Sequence, residues 1–316
     1  MSKMFAWNTE RPYNAYSNYM KKMFGGRVQK LTIDGGFTCP NRDGRLSYNG
    51  CTFCNNNAFN PSYCRRYDTI TQQIIEGQKF HAFRYKKSCQ YLAYFQAYSN
   101  TYDSLENLKS KYEQALAFDN IIGLVIGTRP DCVDNEKLDY LQSLSEKYYV
   151  VVEYGIESCY DKTLLRVNRG HNFDCTVRAI EETKQRGLHV GGHLIFGLPG
   201  ETKEEMIGEA EIISSLPIDL IKFHQLQILD NTTMKDDYLN HKTEYNFFSF
   251  NEYVDFIIHF VERLNPNIVI ERFASEVPPR YNIGPSWGKI RNEQIVQHIE
   301  NELIARNTYQ GKYYNL

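Results

Sequence analysis

Six short β-branched or apolar runs, at residues 28–33, 91–96, 121–126, 150–156, 189–196 and 220–229, alternate along this chain with segments whose apolar residues recur at helical spacing. The helical segments cover 69–86, 104–118, 135–147, 173–186 and 203–215. Strand followed by helix followed by strand demands parallel strands joined by right-handed crossovers, with the helices covering the sheet. Two α/β architectures satisfy the pattern, an open partial barrel and a doubly wound sheet. Both gather their ligands at the C-terminal ends of the strands.

Residues 1–27 read as an N-terminal extension with a helix at 13–23, and residues 28–235 as the core. Residues 236–316 read as a C-terminal segment that completes the fold and closes one side of the site, with a helix at 251–264, a seventh strand at 268–273 and a closing helix at 288–306. No repeat, low-complexity tract or long linker divides the 316 residues, and a 42% hydrophobic content suffices for a large core. The formal net charge is −2 and the charges are scattered, so no basic tract announces nucleic acid. No run of about 18 apolar residues marks a membrane span, and residues 1–20 lack the apolar stretch of a secretory signal. A cytoplasmic protein without a membrane partner is expected. Its eight irregularly spaced cysteines then read as reduced thiols, some of them metal-bound, rather than as a disulfide framework.

The densest chemical signal is DGGFTCPNRDGRLSYNGCTFC, just beyond the first strand, in which 11 residues separate Cys39 from Cys51 and a CxxC joins Cys51 to Cys54. A CxxC places two thiolates on one turn, and the Gly-, Pro- and Asn-rich loop between can fold the third back onto them. Soft thiolates select zinc or an iron–sulfur cluster. A structural zinc ion would need a fourth ligand, for which Cys64 is near enough in sequence. A [4Fe-4S] cluster on three cysteines would instead leave one iron open to a small chelating molecule. Cys64, Cys89, Cys132, Cys159 and Cys175 read as buried thiols, since cysteine packs as a small hydrophobe, with Cys132 the first exception to consider.

Several blocks carry a family resemblance: LTIDGGFTCPNRDG and GCTFC at the cysteines, YFQAYSNTY, GTRPDC, VEYGIES, VNRGH and HLIFGLPGE at successive strand ends, and IGPSW near the end. The chain resembles the radical S-adenosylmethionine (SAM) superfamily, in the branch that shares its core with the catalytic subunit of Elongator, and is most similar to the YhcC/YtqA-type bacterial proteins. The resemblance spans nearly the whole chain. It implies a partial (β/α)6 TIM-like barrel with N-terminal helical and C-terminal extensions. It also implies that Cys39, Cys51 and Cys54 hold a [4Fe-4S] cluster while the amino and carboxylate groups of SAM chelate the fourth iron. An electron from a donor such as flavodoxin or ferredoxin then cleaves SAM to methionine and a 5'-deoxyadenosyl radical, which abstracts hydrogen from a substrate. The cysteine spacing is longer than the compact CxxxCxxC of most of the superfamily, as is usual in this branch. No motif names the substrate; the Elongator-like core admits RNA, for which the balanced charge offers no footprint.

The resemblance also assigns the SAM contacts. Backbone carbonyls of Gln96, Ala97 and Tyr98 take the place of the family's GGE motif, absent here, at the ammonium. Arg169 aligns with an arginine that forks onto the SAM carboxylate. Glu157 stands where relatives carry Gln, facing ribose hydroxyls. Thr128 and Arg129 lie beside the cavity, with Arg129 equally suited to pair with Asp131 or Glu153. Ile195 and Gly197 bring backbone to the adenine edge. His193 and His224 read as satisfied core histidines. Two other classes of protein fit the cysteines alone: a zinc- or iron–sulfur-binding module without activity, and an electron carrier. Neither gives Arg169, Glu157 or GLPGE a role.

Overall fold

Seven parallel strands follow one another in space in the order in which the chain makes them: β1 (Val28–Ile33), β2 (Gln90–Phe95), β3 (Ile121–Thr128), β4 (Tyr149–Glu157), β5 (His189–Phe196), β6 (Leu220–Gln225) and β7 (Val269–Arg272). The structure is a computed structural model and describes residues 4–64, 68–84 and 90–314. A doubly wound sheet reverses its strand order at a switch point. The unbroken order here makes a singly wound, curled half-barrel. Its helices are α1 (Tyr16–Phe24), α2 (Ile70–Arg84), α3 (Leu105–Leu116), α4 (Asn135–Ser145), α5 (Asp161–Arg166), α6 (Phe173–Gln185), α7 (Lys203–Ser214), α8 (Thr233–Asn240), α9 (Phe250–Val261) and α10 (Asn292–Ala305). Among them no helix is long and apolar enough to cross a membrane.

The differences from the sequence expectation lie at element ends. The sixth strand stops at Gln225 rather than 229, because the chain leaves the sheet there and pairs instead with the C-terminal segment, Ile283 N donating to Ile228 O at 2.8 Å. The closing helix starts at Asn292, not 288, since Gly288 sits at φ +73°. Helices α5 and α8 were not expected; with six and eight residues, they are too short for a periodicity to declare itself. The last two residues of the expected helix 69–86, and Cys89, lie outside the described residues.

Alternation along the strands sorts the side chains. On β4, Val150, Val152, Tyr154 and Ile156 face the covering helices and join the main core, while Tyr149 and Val151 point into the barrel. The barrel interior is stacked in levels. At the bottom, α1 inserts Met20 against Leu92, Val125, Val151, Leu220 and Val269, and packs on both β1 and β7, so the N-terminal extension plugs the curl. The chain just before α1 runs beside β7, where Ile270 N donates to Asn14 O at 2.8 Å.

Above the plug lies a charged level. Glu153 of β4 accepts from Lys30 Nζ of β1 at 2.7 Å and from Lys222 Nζ of β6 at 2.7 and 2.8 Å. Glu271 of β7 pairs with the same two lysines at 2.6 and 3.2 Å. Burial alone would raise the Glu153 carboxyl, but Lys222 and Lys30 outweigh it and hold it well below the usual carboxylate range. Burial also lowers Lys222 to about 8, against the pull of Glu153 and Glu271. Gly191 of β5 leaves the space this carboxylate needs, for a Cβ there would stand 2.8 Å from Glu153 Cγ.

The C-terminal end of β4 is pinned to α7 and the turn before it by two buried carboxyls: Ser158 Oγ donates to Glu201, and Cys159 N donates to Glu209 Oε1 at 2.7 Å. Burial and the neighbouring Glu201 push the Glu209 carboxyl well above its ordinary range. The native state therefore keeps a proton that the unfolded chain releases, so stability is full below the unfolded carboxylate pKa and falls as pH rises towards the folded one. Glu209→Gln should remove that fall; melting midpoints of both proteins between about pH 5 and 8 read it, and parallel curves would refute a protonated Glu209. Gly191→Ala should cost about 1–3 kcal/mol through overpacking against Glu153, measured by urea denaturation, and an unchanged midpoint would show that the charged level yields freely.

Candidate cofactor site

The cysteine loop leaves β1 and folds back on itself. Cys39 O accepts from Arg42 N at 2.8 Å, Gly50 N donates to Asn41 O at 2.6 Å, and Cys54 N donates to Cys51 O at 3.0 Å, closing the CxxC turn. Arg42 Nη2 reaches across to Cys54 O at 2.6 Å. The loop then docks on the residues after α5: Thr52 N donates to Val167 O at 3.0 Å, Asn41 Nδ2 to Asn168 O at 2.5 Å and Asn168 Nδ2 to Gly50 O at 2.8 Å. VNRGH is thus the platform of the cysteine loop as well as the source of Arg169.

Cys39, Cys51 and Cys54 line one cavity of about 190 Å³ at the C-terminal ends of the strands. Cys64 does not line it; its thiol donates to Gln73 Oε1 at 3.1 Å. Among the described residues no three His, Cys, Asp or Glu side chains stand close enough to share one metal ion. Zinc gathers its ligands on a single centre, whereas cluster cysteines bond different irons and stand further apart. The sulfurs are met by N–H donors: Cys51 Sγ by Asn41 Nδ2 and Arg169 Nη1, each at 3.5 Å, and by Arg129 Nη1 at 3.9 Å, and Cys54 Sγ by Asn56 Nδ2 at 3.6 Å. Such donors stabilise thiolates and tune clusters. Burial and Cys51 push the Cys54 thiol up to about 11 against the pull of Arg42, so a metal centre must displace its proton.

Arg169 is buried beside this loop. Its Nη2 donates to Gly155 O at 2.5 Å and stands 3.7 Å from Glu157 Oε1, while its buried Nε has no hydrogen-bond partner among the described residues. A buried guanidinium with a donor to spare suits an incoming carboxylate. Gly155 leaves room for both side-chain ends, since a Cβ there would push Glu157 Oε1 and Arg169 Nη2 aside. Glu157 follows an irregularity in the β4–β5 pairing and sits at φ +67°; Tyr98, beyond β2, sits at φ +65°. Both are left-handed non-glycine residues, both line the cavity, and such strain concentrates at functional sites.

Gln96, Tyr98, Thr128, Arg129, Glu157, Arg169 and Ile195 all line the cavity, whereas Ala97 is buried behind it. Gly197, at φ +95°, lines a neighbouring cavity of about 300 Å³ walled by the IGPSW stretch, and so stands apart from the cysteines. Arg129 forks onto Asp131 with two contacts of 2.8 Å rather than onto Glu153, and its Nη2 holds Arg169 O at 2.8 Å. Thr128 Oγ1 is 2.6 Å from Thr101 Oγ1. His193 and His224 have the partners expected of core histidines, Glu153 Oε2 at 3.1 Å and Arg272 Nη2 at 2.5 Å, yet both line the cavity as well. Cys132 and Cys159 are buried, burial pushing Cys132 up to about 12, while Cys175 is only half-buried at the start of α6.

Sequence reasoning missed Arg42, Phe53, Tyr94, Glu153 and Arg272 on the cavity wall. Four signals were present: Tyr94 and Gln96 on β2, Glu153, Gly155 and Glu157 on β4, His193 and Ile195 on β5, and Lys222 and His224 on β6 are alternate residues, hence one face of each strand or of its end.

Comparison with known proteins follows the same outline. The radical SAM superfamily profile matches residues 41–212, and that of the radical SAM C-terminal domain matches 218–305. The chain is 35% identical to YtqA of Bacillus subtilis (strain 168) over 307 residues, covering 97% of this chain and 94% of that protein. It is likewise 35% identical to YhcC of Escherichia coli (strain K12) over 285 residues, 90% of each. The archaeal Elp3 of Methanocaldococcus infernus, solved with an N-terminal deletion, shares the fold with a TM-score of 0.66 at 15% identity, over 90% of this chain and 64% of that one. Profile coverage, full-length relatives and the curled parallel sheet agree: the chain belongs to the radical SAM superfamily.

Proposed function

We propose that this protein is an enzyme that cleaves SAM reductively at a [4Fe-4S] cluster and turns the resulting radical on a substrate of its own. The observation that carries the proposal is the convergence of three loop thiols and the spare donor of a buried arginine on one cavity at the strand ends. Cys39, Cys51 and Cys54 would hold three irons, leaving the fourth for the amino and carboxylate groups of SAM. When bound, the cluster supplies the electron that splits SAM into methionine and a 5'-deoxyadenosyl radical.

The chain's own groups bind and orient. Arg169 offers its unpartnered Nε to the SAM carboxylate, held in place by Gly155 O and, through its own carbonyl, by Arg129. The carbonyls of Gln96 and Tyr98 face the ammonium, and Glu157, turned inward by its left-handed backbone, accepts from ribose hydroxyls. Ile195 flanks the adenine. Gly197 is two residues further on, so its effect on the adenine is exerted through the turn after β5. A flavodoxin or ferredoxin would deliver the electron, a donor in keeping with a cytoplasmic enzyme. An electron carrier would need neither a spare guanidinium donor nor two left-handed residues beside the cysteines, which favours the enzyme.

Anaerobic reconstitution with iron and sulfide, followed by SAM and dithionite, should yield 5'-deoxyadenosine by chromatography with mass detection, and Cys54→Ala should lose both the bound iron and the product. Tightly held zinc, or a fully loaded cluster that forms no product, would overturn the proposal. Arg169→Gln should weaken SAM binding by about 1.5–3 kcal/mol, the range for a charged hydrogen bond. Titration calorimetry on the reconstituted protein measures it, and equal affinities would remove Arg169 from the site.

A further inference from the structure

The floor of the cavity carries a cation that no carboxylate among the described residues pairs with. Three cationic side chains come from the strands into the charged level and its upper edge: Lys30, Lys222 and Arg272. The carboxylates there are Glu153 and Glu271, and both are taken by the two lysines at 2.6–3.2 Å. Arg272 has no carboxylate within ion-pair distance among the described residues. Its Nη2 is 2.5 Å from His224 Nε2, an imidazole rather than an anion, and its buried Nε has no hydrogen-bond partner among the described residues.

The surroundings add to the imbalance. His224 stacks on His193 with ring centroids 5.7 Å apart, and Phe59 covers its other side edge-on at 6.3 Å. Burial, then Arg272, His193 and Lys222, hold His224 well below its ordinary pKa, and only Glu153 opposes them. The imidazole is therefore neutral and sits in a positive field. Arg272, His193 and His224 line the same cavity as Cys54 and Tyr98, with Lys30 and Lys222 below and the cysteine loop above. A small molecule spanning that space would have one end on Arg272 and its body next to the SAM pocket.

We propose that Arg272, with His224 and His193 beside it, binds an anionic group of the substrate, a carboxylate or a phosphate, and thereby fixes which carbon is presented to SAM. The proposal rests on the SAM-cleaving function for the word substrate, but the anion site itself can be tested without turnover. A planar fork with a spare donor, flanked by a neutral imidazole able to donate one N–H, matches a bidentate oxyanion. The lysines below cannot take that role, because each already bridges two carboxylates.

The test uses the cluster-loaded, SAM-saturated protein under anaerobic conditions, with melting midpoints followed against inorganic phosphate and, separately, acetate, at ionic strength held constant with sodium chloride. A ligand that binds only the folded state raises the midpoint in a saturable way. We expect such a rise with at least one of the two anions, and which one responds tells phosphate from carboxylate. Arg272→Gln should abolish it. Arg272→Lys, which keeps the charge but not the fork, should need roughly tenfold more anion. No saturable rise in the wild type with either anion overturns the site, as does a rise that persists undiminished in Arg272→Gln or, if that variant does not fold, in Arg272→Lys. Formation of 5'-deoxyadenosine in the wild type is scored in the same preparation. A protein that makes it and ignores both anions sinks the anion site alone, whereas one that binds the anion through Arg272 and makes none sinks the enzymatic proposal.

Discussion

One carboxylate holds the inside of this half-barrel together. Glu153 sits at the middle of β4 and bonds simultaneously to Lys30 on β1 and Lys222 on β6, strands that lie on opposite sides of it in the sheet order. A curled sheet with β1 and β7 at its edges has no ladder to fix its curvature, so a cross-barrel ion cluster takes a share of that task. Buried pairs of this kind are poor net stabilisers, because desolvation consumes most of the Coulomb energy. Their effect is geometric: removal of one partner strands the others without compensation, at a cost of about 3–5 kcal/mol, so conformations that separate the three strands are disfavoured. The level also divides the interior, with the apolar plug made by α1 below and the polar cavity above.

The placement of the chemistry follows from that division. Apolar plug, charged level and upper cavity succeed one another along β4 at alternate residues, where Tyr149, Val151, Glu153, Gly155 and Glu157 climb from bottom to top. The glycines at 155 and 191 are the spaces in which the Glu157 and Glu153 side chains lie. The irregularity at the top of β4 turns Glu157 into the cavity and frees Gly155 O to hold Arg169. The pairing of strands is thus spent on core, and its interruption on the site.

How much of this was legible in the chain depends on the range of the interaction that decides it. The alternation of β and α segments is local, and five of the six core strands were placed within two residues of their ends. The cysteine loop was legible because three thiols at that density have few uses. What escaped is decided at long range. The docking of VNRGH under the cysteine loop depends on α5, six residues that owe their helix to tertiary packing. Arg272 belongs to no motif of the sequence, and only the pairing of the carboxylates around it, contributed by β4 and by its own neighbour Glu271, shows that none among the described residues is left for it. Gly197 and Ile195 are two residues apart in one motif, yet the turn after β5 carries them to different cavities.

The IGPSW stretch gains a physical role on the same terms. Ile283 N bonds Ile228 O, and a Cβ on Gly284 would stand 3.0 Å from Ile228 Cγ1, so this strand-like segment lies close against the chain that has just left β6. Trp287 closes the arrangement by donating Nε1 to Phe248 O at 2.9 Å and by packing on Phe250 and Tyr253, which ties the segment to α9. Between them they wall the second cavity, which shares Gln225, Leu226, Gln227 and Ser275 with a smaller pocket that also contains Cys54, Phe59 and His224. The end of β6 at Gln225 is what makes this continuity: the β6–β7 ladder stops at Lys222 and Arg272, and the chain beyond Gln225 turns its backbone to the C-terminal segment, with Leu229 bridging Asn282 in antiparallel fashion.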